Sequence, residues 1–287
     1  MSSLPGQLYV VATPIGNLAD ITERARQVLS TVDFIAVEDS RHSRSLLNHL
    51  QIQKPMIPLH EHNERQRYPA LLERIQSGES MALISDAGTP LISDPGYHLV
   101  KHARQQGIAV IPIPGACALV AALSVSGLPT DHFSFEGFLP PKQAARRSRL
   151  EQLKEQSCTL VMYESSHRIK ACIADMVSIF GAEREAVLAR ELTKIYETII
   201  AGTLVDIADS LEQDTNQTRG EFVVMIKGLS KSASAGVTEE VRMLLQLLLK
   251  ELPLKTAALV VSKYFNLSKN EVYQTALAIK NKQDSLS

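Results

Sequence analysis

Much that would name a chemistry outright is missing from these 287 residues. Only three cysteines occur (Cys117, Cys158 and Cys172), an odd number with no CxxC, which suits a reducing compartment and argues against a disulfide framework or a thiolate metal site. No His/Cys/Asp cluster has metal-ligand spacing, so no metal is expected. A dinucleotide fingerprint needs three glycines after the first strand, and only Gly16 is there. No G-x-x-x-x-G-K-[ST] occurs, which excludes a P-loop. Net charge is −1, so any basic surface must be local. No stretch reaches the ~18 uninterrupted apolar residues of a membrane helix. The start, MSSLPGQLYVV, has no basic n-region or long apolar core, so no signal peptide is expected; with the cysteine usage, the expected location is cytoplasmic. There is no internal repeat and no low-complexity tract.

What is present is an alternation. QLYVVAT (7–13), DFIAVE (33–38), PMIPLH, SMALIS and IAVIPI (108–113) read as apolar strands, with amphipathic helical patterns between them. Continuous apolar strands separated by helices imply a parallel α/β sheet covered on both faces. In DPGYHLVKHARQQG, Asp94 reads as an N-cap, Pro95 as the first helical residue and Gly107 as the exit. RYPALLERIQSG reads as a helix from residue 67. After PGACALVAALSVSGLP the pattern restarts with HFSFEGF, CTLVMYE, EAVLARE, YETIIAG and EFVVMIKG; ARELTKIYETII has the look of a hairpin, so this second sheet is expected to be mixed. A Ser/Ala/Gly linker (230–236) precedes an all-helical tail, in which Ser268 and Glu271 have capping-box spacing. The expected organisation is an N-terminal α/β domain (1–117), a second α/β domain (118–229) and a small helical domain (237–287) that reads equally as a helix-turn-helix or as a helical cap or dimer element.

In an open parallel sheet, ligands bind beyond the carboxyl ends of the strands. Three glycine- and proline-bearing turns fall there: TPIGN (13–17), SDAGTP (85–90) and PGAC (114–117). Glycine lets backbone approach a ligand and proline sets the loop in advance. None of these loops pairs its glycines with Lys or Arg, so an uncharged, backbone-lined pocket for a nucleoside with an amino-acid tail suits them better than a polyphosphate site.

TPIGN, EDSRH, HEHNE, SDAGTPLISDPG, IPGACA, EGFLPPK, YESSHR, ARELTK and GEFV occur in this order over residues 7–228. This set resembles the tetrapyrrole-methylase superfamily and, within it, the ribosomal RNA small-subunit methyltransferase I family. The resemblance implies two α/β domains of tetrapyrrole-methylase type with S-adenosylmethionine between them. It further implies methylation of a cytidine ribose 2′-hydroxyl in the decoding region of 16S ribosomal RNA, and a homodimer. Carried over residue by residue, Pro14, Ser85, Asp86, Ala87, Gly88, Thr89 and Pro90 would line the cofactor, with Pro114, Gly115 and Ala116 as its floor, so that a side chain at Gly115 is expected to fill the ligand's space. Tyr163, Glu164, Gly220 and Glu221 would face it from the second domain. The first loop of the wider superfamily is richer in glycine than TPIGN.

Transfer of a methyl group to a hydroxyl needs in-line placement and a partner for the hydroxyl proton. Strand-end candidates are Glu38, Asp39, His60 and Lys194; Asp39 and Lys194 are the leading ones, while Asp39 and Asn63 also read as helix caps. For the RNA, Lys142, Arg146, Arg147 and Arg149 in PPKQAARRSRLE have no acid among them and read as phosphate contacts, joined by Arg41. Phe135, Phe138 and Tyr163 are candidates to stack on a base. Residues 250–287 carry a net charge of +3, with Lys269 on the outward face of the last helix. Two rivals stand beside this reading: a tetrapyrrole C-methyltransferase and a non-catalytic ribosome-assembly protein.

Overall fold

The computed structural model describes residues 6–229, 237–265 and 267–284; the linker expected at 230–236 lies outside them. The first sheet consists of β1 (Leu8–Val11), β2 (Phe34–Val37), β3 (Met56–Pro58), β4 (Met81–Ile84) and β5 (Val110–Ile113), all parallel, in the order β3-β2-β4-β1-β5. Helices α1 (Glu23–Thr31), α2 (Ser40–His49), α3 (Glu64–Gln76) and α4 (Tyr97–Gln105) cover it. Successive strand residues point to opposite faces, and both faces are dry. Ile35, Val37, Ala82 and Ile84 pack with Leu29 and Leu47 on one side. Phe34, Ala36, Met81 and Leu83 pack with Leu72 and Leu99 on the other. Each fully buried Leu, Ile or Phe contributes roughly 1.5–3 kcal/mol, which is why these strands read as unbroken apolar runs.

The second sheet contains β6 (Phe133–Phe138), β7 (Thr159–Ser165), β8 (Glu185–Arg190), β9 (Thr198–Thr203) and β10 (Glu221–Ile226), in the order β6-β7-β10-β8-β9. Only β6 and β7 are parallel, and β8 and β9 form the expected hairpin, so the sheet is mixed. Helices α6 (Gln143–Leu153), α7 (Ile169–Phe180) and α8 (Leu204–Gln213) cover one face. On the other, α5 (Ala118–Ser126) packs Leu119, Ala122 and Leu123 on Val161, Val187, Val223 and Met225. Both sheets belong to one compact unit that ends at Lys227. A second unit begins at Gly228 and holds α9 (Glu239–Leu248), α10 (Leu254–Tyr264) and α11 (Lys269–Asp284) around Val241, Leu245, Val261, Val272 and Ala276.

Two helix starts differ from the sequence reading, while at α2 the expected Asp39 cap is present. The α4 N-cap is Gly96, at φ +125°, and not Asp94. Leu91 and Ser93 adopt left-handed conformations (φ +72° and +66°), and they turn the chain so that Asp94 lines a cleft. Helix α3 begins at Glu64, three residues before the expected start, because the His60 carbonyl accepts from both Asn63 and Glu64. Helix α2 begins at Ser40, with the Asp39 side chain accepting from the Arg41 N–H.

Candidate active site

The exit loops of the first sheet are tied to one another. Thr13 and Gly88 form an antiparallel bridge between the loops that leave β1 and β4. The Thr89 hydroxyl donates to the Ala116 carbonyl at 3.1 Å, joining the loop after β5. The Asp39 N–H donates to Asp86 at 3.1 Å, joining the loop after β2. Residues far apart in sequence thereby build one rim. The left-handed Leu91 and Ser93 within it are the kind of backbone cost that persists only where surrounding structure holds it.

The opposite wall comes from the second sheet. Half-buried Tyr163 accepts from the Leu119 N–H at 3.1 Å, anchoring the first turn of α5. Burial, with the Cys117 thiol beside it, raises the pKa of this phenol. Glu164 is 2% exposed; one carboxylate oxygen accepts from the Ser165 N–H at 2.8 Å and stands 3.2 Å from Arg168, while the other, Oε2, is buried with no partner. Gly220 is held at φ +101°, where a Cβ would lie 2.4 Å from Glu191 Oε1. Gly137, at a bulge in β6, approaches the 91–94 segment so closely that its Cβ would sit 3.2 Å from Ser93 Oγ.

Between these walls lies a cleft of about 430 Å³, in the size range of a small-ligand site. Its lining includes the carboxylates of Glu38, Asp86, Asp94, Glu164 and Glu221 and no Lys, Arg or His. Burial, with the charges of Glu38 and Asp86, raises the Asp94 pKa to about 6 although the Ser85 hydroxyl works against it. Burial likewise raises Glu38, with Asp86 adding to it.

Of the residues expected at the cofactor, Asp86, Ala87, Gly88, Thr89, Tyr163, Glu164, Gly220 and Glu221 line this cleft, as does Glu38. Pro14, Ser85, Pro90, Pro114, Gly115 and Ala116 do not. Gly115 instead packs on the first loop: a Cβ there would lie 3.0 Å from that of Ala12. The lining also takes in Ile15, Ile92, Ser93, Asp94, Cys117, Ala118, Phe138, Ser165, Ser166, Ala189, Leu192, Phe222 and Val223. Several stand inside the quoted motifs, so the motifs marked the walls while single residues within them were not separable by sequence. Phe138 is exposed at the cleft, whereas Phe135 is part of the packing, edge-to-face on Tyr163 at 4.8 Å.

The structure places the expected proton acceptors as follows. Asp39 caps α2 and pairs with Arg41 at 2.8 Å; hydrogen bonds from that side chain and its backbone hold its pKa at about 2. Lys194 is held between Glu191 and Glu221, each at 2.8 Å. Burial opposes its charge, but the two carboxylates outweigh burial and its pKa is raised, the opposite of what a base requires. His60 lies outside the lining and accepts from Asn63 at 2.9 Å.

The arginines of the basic helix have partners within the protein. Arg146 is 4% exposed and forms a 2.7 Å ion pair with buried Asp175, to which Arg147 adds a second bond at 3.1 Å. Arg149 pairs with Glu136 at 2.6 Å. The missing acid of PPKQAARRSRLE is supplied by neighbouring elements, which sequence spacing does not reveal. Lys142 and Arg41 are exposed. In the second unit, Lys269 lines a shallow cavity with Lys255, Asn270 and Tyr273. Among the described residues no cluster of His, Cys, Asp and Glu is placed to hold a metal, and no helix is long and apolar enough to cross a membrane.

Residues 7–208 match the model of the tetrapyrrole (corrin/porphyrin) methylases, and residues 235–280 that of the RsmI C-terminal HTH domain. A ribosomal RNA small subunit methyltransferase I of Pasteurella multocida is 50% identical over 277 residues, 96% of this chain and 99% of that protein. One of Pseudomonas aeruginosa is 52% identical over 273 residues, 95% and 97% of the two chains. Among solved structures, a uroporphyrin-III-C-methyltransferase of Thermus thermophilus superposes with TM-score 0.55 at 20% identity over 77% of this chain and 94% of its own. A diphthine synthase superposes with TM-score 0.58 at 15% identity over 77% and 90%. At such identities the structures speak for the fold alone. The two ordered α/β sheets, the motif-built cleft and relatives at half identity over nearly the whole length together place this chain in the tetrapyrrole methylases, within the ribosomal RNA small subunit methyltransferase I family.

Proposed function

We propose that the chain is an S-adenosylmethionine-dependent methyltransferase acting on the 2′-hydroxyl of a cytidine ribose in 16S ribosomal RNA near the decoding centre, presented by the small subunit. The observation that carries the cofactor assignment is the lining: five carboxylates, of which Glu164 and Glu221 are paired with Arg168 and Lys194 from outside the cleft, and no basic side chain. Such a site repels a polyphosphate and attracts a ligand with a sulfonium and an ammonium group. Glu164 Oε2, buried without a partner, is an acceptor ready for a ligand N–H or O–H. The cofactor supplies a methyl group already activated by the positive sulfur. The tied exit loops, with Gly88 among them, supply backbone to hold it in place, and rigid placement provides much of the rate.

Asp94 is the residue we assign to the ribose proton. It faces the cleft, and with a pKa of about 6 it is ionised at neutral pH yet basic enough to accept a proton. Phe138, exposed at the same cleft, is placed to stack on a base drawn out of the RNA. The name borne by the relatives points to ribosomal RNA. A tetrapyrrole substrate, rich in carboxylates, meets like charge on this wall. The homodimer belongs to the same reading: β9 is an edge strand, Ile199 within it is exposed, and so are Ile195 and Tyr196 just before it. So does a cytoplasmic setting, where the ribosomal substrate is found.

The test is methyl transfer from labelled cofactor to small subunits that lack the modification, followed by digestion to nucleosides. Label in 2′-O-methylcytidine is the expected result. Label on a base carbon, or cofactor binding without turnover, would overturn the assignment, the latter in favour of an assembly protein.

A further inference from the structure

The outer face of α3 and α4 carries an aromatic and cationic patch that the cleft does not use. Tyr68 stacks on His102 with centroids 4.2 Å apart and planes at 18°. Tyr97 stands edge-on to His98 at 5.2 Å and is 59% exposed, with the Lys101 ammonium 5.7 Å from its ring centre. The Arg65 Nε–H donates to His98 Nε2 at 3.3 Å. That bond orients the guanidinium and leaves its two terminal nitrogens free for a bidentate acceptor.

Among the described residues no ion pair answers this charge, and the nearest exposed acid in sequence, Glu61, stands in the turn before α3. Helix α4 contains Lys101 and Arg104 and neither Asp nor Glu. Among the described residues none of Arg65, Lys101 and Arg104 has an ion-pair partner. The exposed acid of α3, Glu73, lies about two turns along the helix from Arg65. The patch is also fixed relative to the cleft. Glu64, 4% exposed, accepts from the Leu99 N–H at 3.0 Å and joins the start of α3 to the start of α4. Tyr97 opens α4, separated by two residues from the 92–94 segment that lines the cleft.

We propose that this face is a docking platform for single-stranded or loop RNA leading to the cleft, with Arg65 and Lys101 on phosphates and Tyr97 under a base. The proposal rests on the assignment of RNA as substrate and adds a surface to it. The cleft itself is lined with carboxylates and repels phosphate, so RNA affinity must come from outside it. Cations interleaved with an exposed ring match the chemistry that holds unpaired RNA. A two-fold copy of the chain fits this face poorly, since it would set like charges against one another.

The experiment compares full-length wild type with Arg65→Gln/Lys101→Gln and with Tyr97→Ala. Binding to small subunits lacking the modification is measured across a salt series, with cofactor affinity by calorimetry and oligomeric state by sedimentation. The double variant is expected to bind subunits at least fivefold more weakly, with a log–log salt slope shallower by about 1.4, roughly 0.7 for each single-strand phosphate no longer neutralised. Tyr97→Ala is expected to weaken binding about fivefold or more without altering the slope. Unchanged cofactor affinity in both variants shows the fold and cleft intact. Wild-type affinity and slope in the double variant would overturn the platform while leaving the enzyme assignment standing. A changed oligomeric state with unchanged RNA binding would overturn it in favour of an interface between copies. Failure of the wild type to bind subunits at all would remove RNA as the substrate, and the platform with it.

Discussion

Thr13 and Gly88 exchange both backbone hydrogen bonds, Thr13 N–H to the Gly88 carbonyl at 2.8 Å and Gly88 N–H to the Thr13 carbonyl at 3.0 Å. Their strands run parallel, so this antiparallel pairing exists only because both loops fold over the strand ends. It holds Gly88 at φ +81°. Gly88→Val is therefore expected to cost about 1–2 kcal/mol in urea unfolding, from the left-handed backbone alone. It is also expected to lower cofactor affinity in calorimetry by more than that destabilisation explains, because the residue lines the cleft. Gly115→Val, directed onto Ala12 and away from the lining, is expected to lower the melting temperature more than the affinity.

Asp94 predicts two opposed pH effects. With its pKa at about 6, the rate of methyl transfer should rise with pH through that value and level off above it. Asp94→Asn should remove the rise and most of the rate. Stability runs the other way. The native pKa lies above the ordinary value of 3.8, so the native state favours the proton. Below 3.8 the carboxyl is neutral in both states; between 3.8 and about 6 the unfolded chain has lost the proton that the folded protein keeps, so stability falls across that window and levels off above it. Asp94→Asn is thus expected to be more stable than wild type at about pH 7–8, with the difference vanishing near pH 4 in denaturant titrations. A variant less stable at every pH would show that the carboxylate is structurally required.

The first sheet was legible because its strands are buried on both faces, and unbroken apolar runs such as Phe34–Val37 admit few other readings. The mixed second sheet was legible through the short β8–β9 connection. The cleft walls were legible because turn chemistry is local. What pairs with what was not. Asp175 meets Arg146 from another helix and Glu221 meets Lys194 from β10, and no local spacing announces either; only Glu191, three residues before Lys194, is a partner within reach of sequence spacing. The role of Asp94 was hidden for a related reason. Its Asp-Pro-Gly context spells a helix cap, and only the left-handed turns at Leu91 and Ser93 redirect it.

The Arg146–Asp175 pair makes a prediction opposite to the phosphate-binding role expected of that helix. Both side chains are at most 4% exposed. Removing one partner of a buried pair costs about 3–5 kcal/mol because the other charge stays behind. Arg147 and Gln143 still reach Asp175, so Arg146→Ala is expected near the lower end, about 3 kcal/mol, in chemical denaturation. Arg149→Ala breaks a half-exposed pair and should cost under about 1 kcal/mol. RNA affinity per folded molecule should be unchanged in Arg146→Ala. A stable variant with weakened, salt-insensitive RNA binding would return Arg146 to the RNA surface.

Lys194 separates positioning from proton transfer. Its ammonium bridges Glu191 and Glu221, and Glu221 lines the cleft. Glu191 Oε1 also accepts from the Glu221 N–H at 2.9 Å, so the cation closes a small network at the cleft edge. Lys194→Met leaves two carboxylates facing one another with nothing between them, which should displace Glu221 and raise the cofactor KM several-fold. Because the raised pKa keeps this lysine charged, it cannot accept a proton near neutrality. The rate at saturation should therefore fall less than about tenfold, and the midpoint near pH 6 should not move. A general base contributes about 10²–10⁴-fold. A drop of that size at saturating cofactor, together with disappearance of the pH midpoint, would transfer the proton-accepting role from Asp94 to Lys194.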